Sequence, residues 1–326
     1  MVSWIEKHRP TSLQDVHGNA EVVRALQSYK TINTLPNMIL HGPPGSGKTS
    51  CILAMATSFF KGGNISTMLL ELNAGDARGM DTMRDQIHYF TRCASVTERS
   101  KNSVKLIVLD EADGLTCCAQ RALRHLIETS SSRARFCLCC NYISKLSTGL
   151  RSRCTSFSFT GVGKVQLART LQNVARKEQF EISKRGLDAV IDVCSGDARQ
   201  AINILESLSL GDAITSTTKI SDDEAVYKSC GLPSPSEIST IFEALVIQSF
   251  SLGYETLRSF ISQKQLSLAQ IIPALAERII SCSDDMMSVR TIGGALSILA
   301  DIERCLSEGG SEEIAVGSMV AAFHPV

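Results

Sequence analysis

The stretch Met38 to Ser50, MILHGPPGSGKTS, constrains this chain more than any other. A short apolar run leads into a glycine-rich turn, Gly42, Pro43, Pro44, Gly45, Ser46 and Gly47, and then into helix-forming residues from Ser50 to Phe60. Gly42, Gly47, Lys48 and Thr49 satisfy the spacing G-x-x-x-x-G-K-[ST] of a phosphate-cradling loop. Each residue type answers a chemical need. Gly45 and Gly47 let backbone N–H groups approach a polyphosphate with no Cβ in the way. Lys48 reaches the β- and γ-phosphates, and the Thr49 hydroxyl is a ligand for Mg²⁺. The helix that follows turns its positive end toward the phosphates. The sequence therefore predicts a nucleoside triphosphate site with Mg²⁺.

The bulk numbers set the frame for that loop. A chain of 326 residues exceeds one ordinary core, so two or three domains are expected. Hydrophobic residues make up 44% and charged residues 20%, the balance of a globular protein, not of a disordered one. Lys plus Arg equals Asp plus Glu, at 33 each, so any polyanion must be met by local patches. No apolar run is long enough to span a bilayer, and the charged opening MVSWIEKHRP does not read as a signal peptide. The 12 cysteines accordingly read as reduced thiols of a cytosolic or nuclear protein.

Along the chain, Asn19 to Tyr29 has helical spacing with Asn19 as its N-cap. The segment before it reads equally as an arm packed on the core and as a nucleotide contact. Ser66 to Leu72 reads as a strand, followed by the turn-rich Asn73 to Gly79. Met80, Met83, Ile87 and Phe90 mark a helix, with Arg78 and Arg84 on what spacing alone makes a solvated edge. Val104 to Leu109 reads as a buried strand closed by Asp110 and Glu111. In a P-loop ATPase, the first of these acids orders Mg²⁺ and the second polarises the attacking water. Cys117 to Thr129 is a helix, and Arg135 to Cys140 another strand. The cysteines of RFCLCC lack a second pair at finger spacing and read as small apolar strand residues. Asn141, at that strand's end, is placed to reach a γ-phosphate or its water. Thr155 to Phe159 completes five strands alternating with helices: an α/β domain with a mainly parallel sheet. Beyond Gly161-Val-Gly163 the pattern is all-helical, and its apolar faces suit packing against other subunits as readily as a self-contained bundle. Arg199 falls in the first turn of a helix, where a cation is disfavoured and a phosphate would offset it.

Taken in order, WIEKHRP, HGPPGSGKTS, ELNAGDARG, VLDEAD followed by AQRALR, FCLCCNY, LRSRC and SGDARQAIN resemble the successive motifs of clamp-loader small subunits of the AAA+ superfamily, the replication factor C family. The resemblance implies an AAA+ P-loop module over residues 1–161, a small helical lid over 162–225 and an all-helical collar over 226–326. It implies an ATPase that acts within a hetero-pentamer of replication factor C subunits. That assembly opens a sliding clamp, proliferating cell nuclear antigen, and loads it on primer–template DNA during replication and repair in the nucleus, with no membrane involved. Lys48, Asp110, Glu111, Asn141 and Arg199 are implied to serve the chain's own site, and Arg153 to act in trans on a neighbour. Glu6, Lys7, Arg9 and Pro10 are implied to face the adenine, Arg78, Arg84 and Lys145 the DNA backbone, and Met80, Met83, Ile87 and Phe90 the clamp. Gly75, where the family usually has Ser, and His8, where it has Tyr, depart from the pattern. Two alternatives stand beside this reading: a helicase-like remodelling ATPase, and a structural subunit that binds ATP without turnover.

Overall fold

The computed structural model describes residues 3–32, 34–60, 65–75, 80–92, 104–215, 223–281 and 289–323. By its contacts the chain divides into two units: Met1–Glu181 with Val190–Leu210, and Ile182–Ala189 with Gly211–Val326.

In the first unit, the short helix α1 (Trp4–Lys7) precedes α2 (Ala20–Ile32). Strand β1 (Met38–His41) leads through the glycine-rich turn into α3 (Lys48–Phe59). Then follow α4 (Ile65–Met68), β2 (Leu69–Asn73), α5 (Met80–Arg92), β3 (Lys105–Asp110) and α6 (Cys117–Thr129). Strand β4 (Ala134–Cys140), α7 (Thr148–Arg151) and β5 (Thr155–Ser158) complete the α/β part. The five strands form one parallel sheet in the order β2-β3-β4-β1-β5. Its central strands are apolar at nearly every position because both faces are covered. Met38, Leu40, Leu106, Val108, Cys137 and Cys139 point to the side of α2 and α3, and Ile39, Ile107, Leu109, Phe136, Leu138 and Cys140 to the side of α5 and α6. That alternation is the period of two of an extended chain. The cysteines are thus core residues, as their strand setting suggested, and burial raises the Cys51 and Cys140 thiols to about 12.

Two local expectations change. Ser66, Thr67 and Met68 belong to a helical turn, because β2 finds its partner β3 only from Leu69, opposite Leu106. Asn19 adopts a left-handed φ of 49°, and its side-chain amide brackets Thr160: it accepts from the Thr160 N–H at 2.9 Å and donates to the Thr160 carbonyl at 3.1 Å. That residue therefore ties the approach to α2 to the end of the sheet, in place of the simple N-cap expected.

Helices α8 (Lys164–Lys177), α9 (Lys184–Cys194) and α10 (Ala198–Thr215) follow. The second unit then contains α11 (Asp223–Cys230), α12 (Pro235–Ile247), α13 (Phe250–Lys264), α14 (Leu268–Ile280), α15 (Val289–Ser307) and α16 (Glu312–Phe323). The apolar faces of α12 to α16 converge on one core that includes Phe242, Leu257, Ile272, Leu275, Leu299, Met319 and Phe323. The faces read from the sequence thus close first on each other within the chain. Helix α12 opens with a reciprocal cap: the Ser234 hydroxyl accepts from the Glu237 N–H at 3.3 Å, and Glu237 accepts from the Ser234 N–H at 2.8 Å. Phe242 is fully buried, edge-on to Phe323 with ring centroids 6.4 Å apart, and the Arg278 guanidinium lies 5.1 Å over its ring. Phe242→Ala is expected to cost the C-terminal bundle about 3–5 kcal/mol, read as an earlier loss of helical circular dichroism in urea.

Candidate nucleotide-binding site

The order of strands builds the site. Strand β4 lies between β1 and β3, so the loops leaving the three carboxyl ends meet. The glycine-rich turn leaves β1, Asp110 and Glu111 close β3, and Asn141 follows β4. Lys48 is buried at the meeting point. Its ammonium donates to the carbonyls of Gly42 and Pro43, each at 2.8 Å, and to Asn141 Oδ1 at 3.0 Å. Burial holds its pKa below the ordinary lysine value, because a desolvated ammonium favours the neutral form. His41, beneath the turn, is lowered too, first by burial and then by the Lys48 charge.

Gly42 has no room for a side chain: a Cβ there would lie 2.1 Å from the Phe159 carbonyl oxygen. The cause is a backbone bond from the Phe159 N–H to the His41 carbonyl at 2.7 Å, which draws the end of β5 against the turn.

The Thr49 hydroxyl donates to Asp110 Oδ2 at 2.8 Å, and Asp110 Oδ1 accepts from the Glu111 N–H at 3.0 Å. Among the described residues, no three His, Cys, Asp or Glu side chains form a metal-holding group. A hydroxyl and one carboxylate suit Mg²⁺, which binds through few protein oxygens and takes the rest from phosphates and water. Glu111 has a left-handed φ of 53°. A Cβ on Gly75 would sit 2.7 Å from Glu111 Oε2, so glycine here leaves the carboxylate its place.

Lys48, Thr49, Asp110, Glu111 and Asn141 line a cleft of about 480 Å³, together with Pro44, Gly45, Ser46, Gly47, Ser50 and the N-terminal residues Glu6, Lys7, Arg9 and Pro10. Thr170, Asn173 and Lys177 of α8 and Arg199 of α10 close it. Arg199 does sit in the first turn of its helix. Part of the offset assigned to a phosphate is already supplied by Asp197, whose Oδ1 accepts from the Arg199 N–H at 2.8 Å. Sequence reasoning missed how the arm is held. The Lys7 ammonium reaches Glu178 at 2.7 Å and His8 Nε2 reaches it at 2.5 Å, while Glu206 Oε2 accepts from the Ser3 hydroxyl at 3.0 Å and the Trp4 N–H at 3.2 Å. His8, the departure from the family pattern, is thus one of the residues that fasten the arm. No local pattern marks Glu178 or Glu206, because their partners lie far away in sequence.

The remaining predicted residues lie elsewhere. Arg153 is exposed and outside the cleft, its Nε donating to Glu128 at 2.6 Å and its Nη1 to the Gly149 carbonyl at 2.8 Å. Arg84 and Lys145 are exposed, and the Lys145 ammonium lies 5.1 Å over the Tyr142 ring. Arg78 falls outside the described residues, as does the Met80 side chain. Ile87 is a correction. It is fully buried in the core beside the sheet, with Met83 and Phe90 packed half-buried against the same core. The described part of the apolar stripe of α5 faces inward, and among the described side chains of the helix Tyr89 is the large apolar one that is exposed, at 76%.

A parallel sheet with this strand order, a P-loop after β1 and an acidic pair after β3 defines an AAA-type P-loop ATPase. The profile of the ATPase family associated with various cellular activities (AAA) matches residues 38–162, an RCF1/5-like AAA+ ATPase lid domain matches 169–210, and the replication factor C C-terminal domain matches 233–322. The chain belongs to the replication factor C subunit family. It is 38% identical to replication factor C subunit 5 of Homo sapiens over 320 residues, covering 98% of this chain and 91% of that one. It is 36% identical to replication factor C subunit 3 of Saccharomyces cerevisiae over 322 residues, covering 98% and 92%. This is the branch, subunit 3 in yeast naming and 5 in human, toward which the stretches RFCLCCNYISK and ADIERCLSEGGSEEIAVGSMVAAF point. Among solved structures, the Thermotoga maritima RuvB Holliday junction branch migration motor shares the fold, with a TM-score of 0.56 and 18% identity over 86% of this chain and 87% of that one.

Trp4 is the sole tryptophan, so its fluorescence reports the arm. Hydrogen bonds from Lys7 and then His8 hold Glu178 below its ordinary 4.5. A lowered carboxylate stabilises the fold above its unfolded pKa and ceases to as pH falls through the folded value. Trp4 emission should therefore shift to the red as pH drops below 4.5, and Glu178→Ala should produce that shift already at neutral pH.

Proposed function

We propose that this chain is an ATP-hydrolysing subunit of a hetero-pentameric clamp loader, working in the nucleus in DNA replication and repair. One observation carries the reading. Lys48, Thr49, Asp110, Glu111 and Asn141 stand together, while Arg153 lies exposed outside their cleft. In this reading the triphosphate lies along the turn, and its oxygens replace the carbonyls of Gly42 and Pro43 as partners of the Lys48 ammonium. Asn141, already bonded to Lys48, aligns the γ-phosphate or its water. Glu111 accepts the proton of the attacking water, and Arg199 approaches the phosphates from the lid. Thr49 and Asp110 would hold Mg²⁺, which would supply neutralisation of the phosphate charge. Glu6, Lys7, Arg9 and Pro10 form the adenine end. Arg153 completes a neighbouring subunit's site, and this site takes its arginine from another chain.

DNA enters the reading through exposed cations. Arg84 and Lys145 contact phosphates, positioning the duplex without reading bases. The clamp, proliferating cell nuclear antigen, meets the outward side of α5, where Tyr89 takes the place that the sequence assigned to Ile87. Ile247, Phe250 and Leu252, exposed in the C-terminal bundle, suit contact with the other replication factor C subunits.

In a reconstituted pentamer, Lys48→Ala should abolish ATP binding by this subunit and depress clamp loading; native loading by that variant would sink the idea of a working site. Arg153→Ala should slow hydrolysis at the adjacent site by about 10³–10⁵ while this chain binds ATP as before. A loss of binding here, with the neighbour unaffected, would instead make Arg153 a residue of its own site. Counting ATP hydrolysed per clamp loaded separates turnover from a purely conformational role for the nucleotide. Arg84→Ala should weaken DNA binding alike for all sequences and lower its salt dependence.

A further inference from the structure

Helix α10 starts at the P-loop. The turn before it, Ser195 and Gly196, is left-handed, with φ of 46° and 90°, and is pinned from behind by a bond from the Val162 N–H to the Gly196 carbonyl at 2.9 Å. The first N–H of the helix, from Ala198, donates to the Gly45 carbonyl at 3.3 Å. The next two, from Arg199 and Gln200, donate to Asp197 Oδ1 at 2.8 and 3.0 Å. The Asp197 carboxylate itself lies flat on the bare face of Gly45. A Cβ there would fall 1.7 Å from Oδ1, 2.2 Å from Cγ and 2.8 Å from Oδ2. Gly45 has a φ of +63°, so its conformation and its missing side chain both serve this approach. The crest of the phosphate loop and the start of the helix that carries Arg199 are therefore in contact through one side chain and one backbone bond.

We propose that Asp197 is a positioning residue that keys α10 to the crest of the P-loop and thereby sets Arg199 over the γ-phosphate. The inference rests on the nucleotide-site reading above. Arg199 is two residues from Asp197, in the same helical turn, so the translation and roll of that turn decide where its guanidinium goes. Both are set by the seat on Gly45. A carboxylate so near a polyphosphate site would repel the ligand if its charge were free. Here two N–H groups and the positive end of the helix absorb it. What the seat needs is thus a short acceptor that caps the helix, not a negative charge.

Binding of ATPγS and ADP to the full-length chain, titrated with fluorescent analogues, tests the assignment. Arg199→Ala should weaken ATPγS binding about tenfold, as expected for one charge-assisted phosphate contact, and leave ADP binding nearly unchanged. Asp197→Ala should lose most of the same preference for ATPγS, and the double variant should be no worse than Arg199→Ala, since groups acting as a unit are not additive. Asp197→Asn, which keeps the cap and removes the charge, should restore native discrimination. The lesion of Gly45→Ala should be smaller when combined with Asp197→Ala than in the native chain. Additive losses at 197 and 199, an Asn variant as impaired as Ala, or equal Gly45→Ala lesions in both backgrounds would overturn the proposal. Lys48→Ala separates the two levels: if it binds ATPγS like the native chain, the site reading itself fails. If it does not bind while the losses at 197 and 199 are additive, only the key fails.

Discussion

Everything at the nucleotide site depends on β4 being hydrogen-bonded between β1 and β3. Parallel pairing sends the three carboxyl ends out on one edge of the sheet, and the register places Leu40 opposite Cys139 and Val108 opposite Cys137. The residues that follow therefore emerge side by side, although Lys48, Asp110 and Asn141 are far apart in the chain. The cost of this convergence is a buried ammonium. The protein meets it with three oxygen acceptors on Lys48, two of them carbonyls of the same turn. A buried charge is tolerated when it is fully hydrogen-bonded. The same acceptors keep the lysine from folding away into solvent.

Specialisation is graded through the molecule. The core beneath the loop is small and apolar, with Cys137, Cys139 and Cys140 packed as hydrophobes. The cleft rim is charged and tied by long-range ion pairs. Beyond the rim, the side chains the family reading assigns to other molecules, Arg84, Lys145 and Arg153, are exposed. Arg153 is already engaged with Glu128, so a guanidinium meant for another chain has a resting partner on its own.

Much of this was legible in the residues, for reasons that differ by element. The P-loop and the acidic pair are local: their chemistry needs particular side chains at fixed spacing, and the strands beneath them are apolar on both faces. The arm was not legible. Its attachment to Glu178 and Glu206 pairs residues some 170 to 203 positions apart, and neither acid differs in local pattern from a solvated one. The helical periodicity of α5 identified the element correctly but not its orientation. Met83, Ile87 and Phe90 recur at the spacing of a stripe, and a stripe alone does not say whether it meets the protein's own core or a partner. Here it meets the core. Asn19 looked like a cap because caps favour that residue type. Thr160, remote in sequence, is where its side chain is committed.

The closeness of β5 to Gly42 carries a mechanical implication. The chain that leaves Phe159 runs through Thr160 and Gly161 to Val162, which is bonded to Gly196, and from there into α8. The joint between the sheet and α8 therefore lies beside the glycine-rich turn. Helix α8, with 14 residues, is a rod of about 21 Å. Any rotation by a few degrees about such a pivot leaves the cradle almost stationary and displaces the far end of the rod by an ångström or two. Glu178, which grips the arm, is at that far end. A small rotation at that joint would in this way appear as a larger displacement where the N-terminal arm is fastened.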